Sequence, residues 1–147
     1  MAAERITTRE TSAASRRFPR DASIYSPLLG SPFKWGGKSP EEGFDCWGLV
    51  VEIYKRLGVD IEATLKYQGP ESAPREVPEG VERAWEPVRG ALEVWDVITF
   101  APLREGDPPH VGVYVGNLRV VEATPQFGVV ARRIGRRKIL GVYRWRG

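Results

Sequence analysis

Gly43-Phe44-Asp45-Cys46-Trp47-Gly48-Leu49-Val50-Val51-Glu52-Ile53-Tyr54-Lys55-Arg56-Leu57-Gly58 carries the clearest helical pattern in the chain, together with its one cysteine. Trp47, Val50, Ile53, Tyr54 and Leu57 recur at three- and four-residue intervals, which gives a helix one apolar face. The spacing predicts a helix from Cys46 to about Leu57. Asp45 suits its N-cap, Gly58 its C-terminal stop, and Lys55 and Arg56 its last turn. Cys46 then stands in the first turn, where unpaired amides carry about half a positive charge. That field favours thiolate over thiol and is expected to draw the sulfur below its free pKa of about 8.5. A thiolate is a nucleophile, so Cys46 is the candidate for covalent chemistry. Gly43 and Gly48, on either side, are expected to leave room for a substrate backbone.

Downstream the period changes from helical to alternating. Strands are predicted at Val94–Phe100, His110–Val115, Leu118–Ala123, Val129–Ile134 and Ile139–Trp145, with Gly116-Asn117 as a turn. Short strands with tight turns imply an antiparallel sheet, and with the helix they place the chain in the α+β class. His110 is the single histidine. It opens the strand on which Val111, Val113 and Val115 share one face and His110, Gly112 and Tyr114 the other. A rigid strand end suits a general base. A third polar group has to hold such an imidazole in its productive tautomer. Glu122 lies on the return strand between Val121 and Ala123 and is the candidate. Upstream, Gly30-Ser31-Pro32, Gly36-Gly37 and Ser39-Pro40-Glu41-Glu42-Gly43 mark a shaped loop. Residues 1–25 read as a polar arm and 26–147 as one domain. Gly69-Pro70, Pro74, Pro78 and Pro87 punctuate the stretch from Asp60 to Gly90, where a short helix at about 79–86 is expected and no chemistry is assigned.

The 147 residues suffice for one domain with a core. No run of about 18 apolar residues is present, so no membrane span is expected. The N-terminus lacks the apolar segment of a secretory signal. One cysteine rules out an internal disulfide and a thiolate metal cluster, and neither metal nor cofactor is expected. The net charge is +3. Arg132, Arg133, Arg136, Arg137, Lys138, Arg144 and Arg146 crowd the C-terminus. Nucleic-acid binding is disfavoured, because Tyr143 and Trp145 alternate with Val142 and Arg144 as strand residues do. The basic stretch reads instead as a solvated or protein-docking face.

Residues 32–50, with Phe33-Lys34-Trp35-Gly36-Gly37 and Gly43-Phe44-Asp45-Cys46-Trp47-Gly48-Leu49-Val50, resemble the nucleophile motif of the NlpC family of papain-like cell-wall endopeptidases. Asp96-Val97-Ile98-Thr99-Phe100 resembles that family's Asp-led strand, and His110-Val111-Gly112-Val113-Tyr114-Val115-Gly116 its histidine strand. The likeness covers about residues 27–130. It implies a papain-like NlpC fold, with a nucleophile-bearing helix on a small antiparallel, barrel-like sheet. It implies cleavage of peptide bonds in peptidoglycan stem peptides by Cys46, His110 and a third group at Glu122. Trp35, Gly36, Asp45 and Trp47 are the candidates for substrate contact. Four positions depart from the family pattern. Phe33 stands where tyrosine is frequent, Glu122 where His, Asn or Gln is, Trp95 where Gly precedes the aspartate, and Trp47 where exported members carry Ser.

Asp45-Cys46-Trp47-Gly48-Leu49-Val50 looks most like members encoded with phage tails and gene-transfer particles. That likeness implies a virion tail-tip protein made in the host cytoplasm. Bacterial peptidoglycan would be its substrate, and other tail or particle proteins would dock on the arm and the basic C-terminus. Two further readings follow from the same residues. One is a structural tail-tip subunit with little or no catalysis, supported by Phe33 and Glu122. The other is a non-peptidase thiol enzyme such as an acyltransferase, whose apolar tunnel the sequence does not suggest.

Overall fold

In the computed structural model, which describes residues 18–61, 85–102, 104–107 and 109–147, helix α1 spans Cys46–Arg56. Its start matches the expected boundary. Asp45 caps it, accepting a 2.7 Å hydrogen bond from the Gly48 amide, and Lys55 and Arg56 occupy the last turn. Leu49, Val50, Ile53 and Tyr54 are buried. Burial of one such aliphatic side chain contributes about 1.5–3 kcal/mol, which is what docks the helix.

Two short strands precede the helix, β1 (Lys38–Ser39) and β2 (Gly43–Phe44), paired antiparallel. Six more form one antiparallel sheet: β3 (Trp85–Pro87), β4 (Val97–Phe100), β5 (His110–Gly116), β6 (Arg119–Thr124), β7 (Gly128–Arg133) and β8 (Ile139–Trp145). Their order is β3-β8-β4-β5-β6-β7. Helix α1 packs on β5 and β6. The valines of β5 alternate as expected: Val111 and Val113 enter the main core beneath α1, whereas Tyr114 joins a second cluster with Ile98, Phe100, Val120 and Ile134.

Three expectations change. The strand predicted from Val94 begins at Val97, because Trp95 takes φ 80° and Asp96 folds back on Glu93 in a turn. Left-handed backbone suits glycine, so the family's usual residue at 95 has a physical reason. Here the cost is offset by burial of the indole, whose N–H donates to Pro19 O at 2.9 Å. The helix expected at 79–86 lies mostly outside the described residues, and Trp85 and Glu86 are in β3. Finally, the polar arm does not extend to residue 25. Phe18 is buried against Tyr54, and Tyr25 meets Trp95 edge-on.

The basic C-terminus is also less available than its sequence suggests. Arg144 is buried and chelates Asp96 at 2.8 and 2.9 Å. Arg146 pairs with Glu86, and Arg132 and Arg137 both turn onto Glu122. Among the described residues no helix is long and apolar enough to cross a membrane.

Candidate active site

The loop ahead of α1 is locked by backbone-to-backbone contact. Phe44 N donates to Pro32 O at 2.9 Å, and Lys34 N to Phe44 O at 3.1 Å. Asp45 is fully buried; besides capping the helix, its Oδ2 accepts from Gly36 N at 2.7 Å. The two flanking glycines make room for the protein itself. A Cβ on Gly48 would stand 2.3 Å from Gly37 O, and one on Gly43, at φ +112°, would stand 2.7 Å from Pro32 O. The expectation that they admit a substrate backbone therefore gives way to a packing role.

This frame brings Cys46 to the start of β5, where the Val111 amide hydrogen-bonds its sulfur. Val111 follows His110, and both Cys46 and His110 line one cleft of about 290 Å³ with Phe33, Trp35, Asp107, Pro109 and Pro125. Cys46 is only 4% exposed. Burial, with the Asp45 carboxylate adding to it, pushes the thiol up to about 12. The amides of Val111, Trp47 and Cys46 act in the opposite direction but do not prevail. Burial thus works against the thiolate expected from the helix terminus: removing a charge from water costs more than a few amide dipoles return.

His110 Nε2 lies 2.6 Å from Glu122 Oε1. The β5–β6 register pairs Val113 with Val121 and Tyr114 with Val120, so its continuation sets Gly112 across from Glu122, two residues along from His110. Glu122 is 0% exposed. Arg132 Nε donates to its Oε2 at 2.9 Å, and Arg137 Nη1 to its Oε1 at 2.7 Å. Burial alone would raise this carboxyl. The hydrogen bonds from His110, Arg137 and Arg132 outweigh it and hold the group at about 2.

Of the four residues expected to touch substrate, Trp35 lines the cleft and is 39% exposed. Gly36 offers its amide to Asp45 instead. Asp45 and Trp47 are buried, Trp47 in the main core. Sequence reading missed Arg132 and Arg137, which it placed in a solvated or protein-docking face. The β6–β7 hairpin sets Glu122 across from Val130 and Val120 across from Arg132, so strand alternation puts Glu122 and Arg132 on one face. Among the described residues, no group of three or more His, Cys, Asp or Glu is placed to hold a metal ion.

The sequence profile of the NlpC/P60 family matches residues 30–140. The chain belongs to that family. Murein DD-endopeptidase MepH of Escherichia coli (strain K12) is 35% identical over 98 residues, which are 65% of this chain and 32% of that protein. Bifunctional muramidase/DL-endopeptidase CwlT of Bacillus subtilis (strain 168) is 36% identical over 92 residues, 62% of this chain and 24% of that one. The chain therefore matches a third or less of these relatives' lengths. Among solved structures, an NlpC/P60 family protein from Bacillus cereus ATCC 10987 superposes with a TM-score of 0.61 at 24% identity, covering 87% of this chain and 41% of the other. NlpC2 from Trichomonas vaginalis gives 0.60, also at 24%, covering 86% and 45%. The papain-like fold expected of an NlpC/P60 domain is the fold observed. Within it, Phe33 meets Trp35 edge-on at 4.9 Å in the cleft wall and brings no hydroxyl to it.

Proposed function

We propose that the chain is a cysteine peptidase that hydrolyses peptide bonds in peptidoglycan stem peptides. The observation that carries this is the junction of Cys46 with the start of β5, which sets a sulfur and a Glu122-braced imidazole in the wall of one cleft. Relatives named as murein DD-endopeptidase and DL-endopeptidase supply the substrate class.

With Nε2 committed to Glu122, His110 has Nδ1 left as proton acceptor. As substrate enters, the Cys46 proton passes to that nitrogen and the sulfur attacks the scissile carbonyl carbon. The oxyanion takes the Cys46 amide and the positive end of α1, with no contribution from Phe33. His110 returns the proton to the leaving amine, and a thioester remains. Water then attacks the thioester with His110 as base, freeing the acid and the thiol.

The finer reading is a tail-tip component of a phage or phage-like particle that opens the host wall. It rests on the Asp45-Cys46-Trp47-Gly48 resemblance. The burial of Cys46, which raises its thiol, and the missing hydroxyl at Phe33 favour a second reading, a structural subunit with the same fold and little turnover. Purified protein incubated with cell-wall sacculi, followed by mass analysis of the released muropeptides, separates them. The peptidase reading expects cut stem peptides, with none from Cys46→Ala. Intact stem peptides after treatment with folded wild-type protein would establish the structural one.

A further inference from the structure

Glu122 is more heavily engaged than orienting a histidine requires. Its Oε1 receives His110 Nε2 at 2.6 Å, Arg137 Nη1 at 2.7 Å and Arg132 Nη2 at 3.4 Å, and its Oε2 receives Arg132 Nε at 2.9 Å. Arg137 is fastened on every side. Its guanidinium lies 4.4 Å over the Phe100 ring and donates to Ile134 O at 3.0 Å and Arg133 O at 2.9 Å. Phe100 in turn lies 6.1 Å from the His110 ring. A planar, always-charged fork held in this way is suited to fixing a carboxylate.

Resting on the peptidase reading above, we propose that Arg137, assisted by Arg132, is a positioning residue for the catalytic histidine. It pins Glu122 as an anion on Nε2 and thereby fixes the orientation and tautomer of the ring, with a proton on Nε2 and the lone pair of the neutral form on Nδ1. A lone carboxylate beside an imidazole stabilises imidazolium. Here two guanidinium charges share the one carboxylate, so removing either of them leaves the surroundings of the ring less positive. Among the described residues, the charged and titratable groups around the ring are Glu122 on β6, Arg132 on β7, Arg137 in the β7–β8 turn, Cys46 on α1 and Asp107 in the segment before β5. Burial pushes the Cys46 thiol up to about 12.

The single histidine makes the test direct, since imidazole ¹⁵N NMR of the full chain reads one ring. The wild type is expected to show a protonated Nε2 and a bare Nδ1 at neutral pH. In Arg137→Met the ring should gain its second proton at higher pH, and the acid limb of kcat/KM on sacculi fragments should move up with it. Glu122→Gln should move both down. Arg137→Met should lower kcat on the order of tenfold with KM little changed, and Arg137→Lys should recover part of the loss. In a Glu122→Gln background the arginine change should matter by less than about threefold. If Arg137→Met folds poorly, Arg132→Met reads the same quantities. Loss of thermal stability with ring protonation and pH profile unmoved overturns the proposal and leaves the peptidase reading standing. The expected ring behaviour in a protein that leaves sacculi uncut supports the arginine clamp and removes the peptidase reading instead.

Discussion

At Cys46 two forces oppose each other, and burial prevails over the helix terminus. The folded thiol, raised to about 12 from an ordinary 9.0, holds its proton more tightly than the unfolded one. It therefore contributes stability that is complete below about pH 9 and fades as pH rises towards 12. Urea unfolding of wild type and Cys46→Ser should show the wild type losing stability relative to the serine variant above pH 9, and parallel curves below it. Glu122 has the reverse sign. Its carboxyl, lowered from 4.5 to about 2, contributes stability that is present above pH 4.5 and lost as pH falls through about 2. Glu122→Gln leaves three donor side chains on a neutral acceptor, and it should cost about 3 kcal/mol at pH 7 by chemical denaturation. Its stability should also be flatter than that of the wild type between pH 4.5 and 2.

At the scale of elements, α1 and the loop before it act as one part. An exposed helical glycine changed to alanine normally gains about 1 kcal/mol. Gly48→Ala should do the opposite, because its Cβ would meet the Gly37 carbonyl at 2.3 Å with no flexible side chain to give way. A loss of about 2 kcal/mol or more in denaturation, with activity falling further than stability, is expected as Cys46 shifts against β5. Gain of stability would show that the loop is looser than its contacts. The helix was legible from its period and its cap, since both are local. The glycines read as room for a substrate backbone, but what they make room for is the chain itself: their neighbours are carbonyls of other loop residues.

For the whole molecule, the packed body reaches back at least to Phe18. A protein beginning at residue 26 loses Phe18 from the core, the Pro19 acceptor of Trp95 and the Tyr25 ring. It should melt well below the full chain, with a cost of about 3–5 kcal/mol typical of losing a buried aromatic. Equal melting temperatures would restore the boundary expected from composition. The charge distribution follows the same lesson. Seven basic residues near the C-terminus read as one face, yet Arg132, Arg137, Arg144 and Arg146 are spent on carboxylates brought from Glu122, Asp96 and Glu86. Those partners are 10 to 60 residues distant in sequence, so no local pattern could pair them.

By itself the sequence determined the helix with its capped cysteine, the antiparallel strands, the single histidine at a strand start and, through the Gly-Phe-Asp-Cys and His-Val-Gly-Val motifs, the family. These are properties of period, neighbours and short motifs. Tertiary structure alone decided the burial that raises the Cys46 thiol, the inward turn of Asp45 and Trp47, and the arginine pair on Glu122. Each depends on desolvation or on charges from distant strands, and burial and through-space charge are set only once the chain has closed on itself.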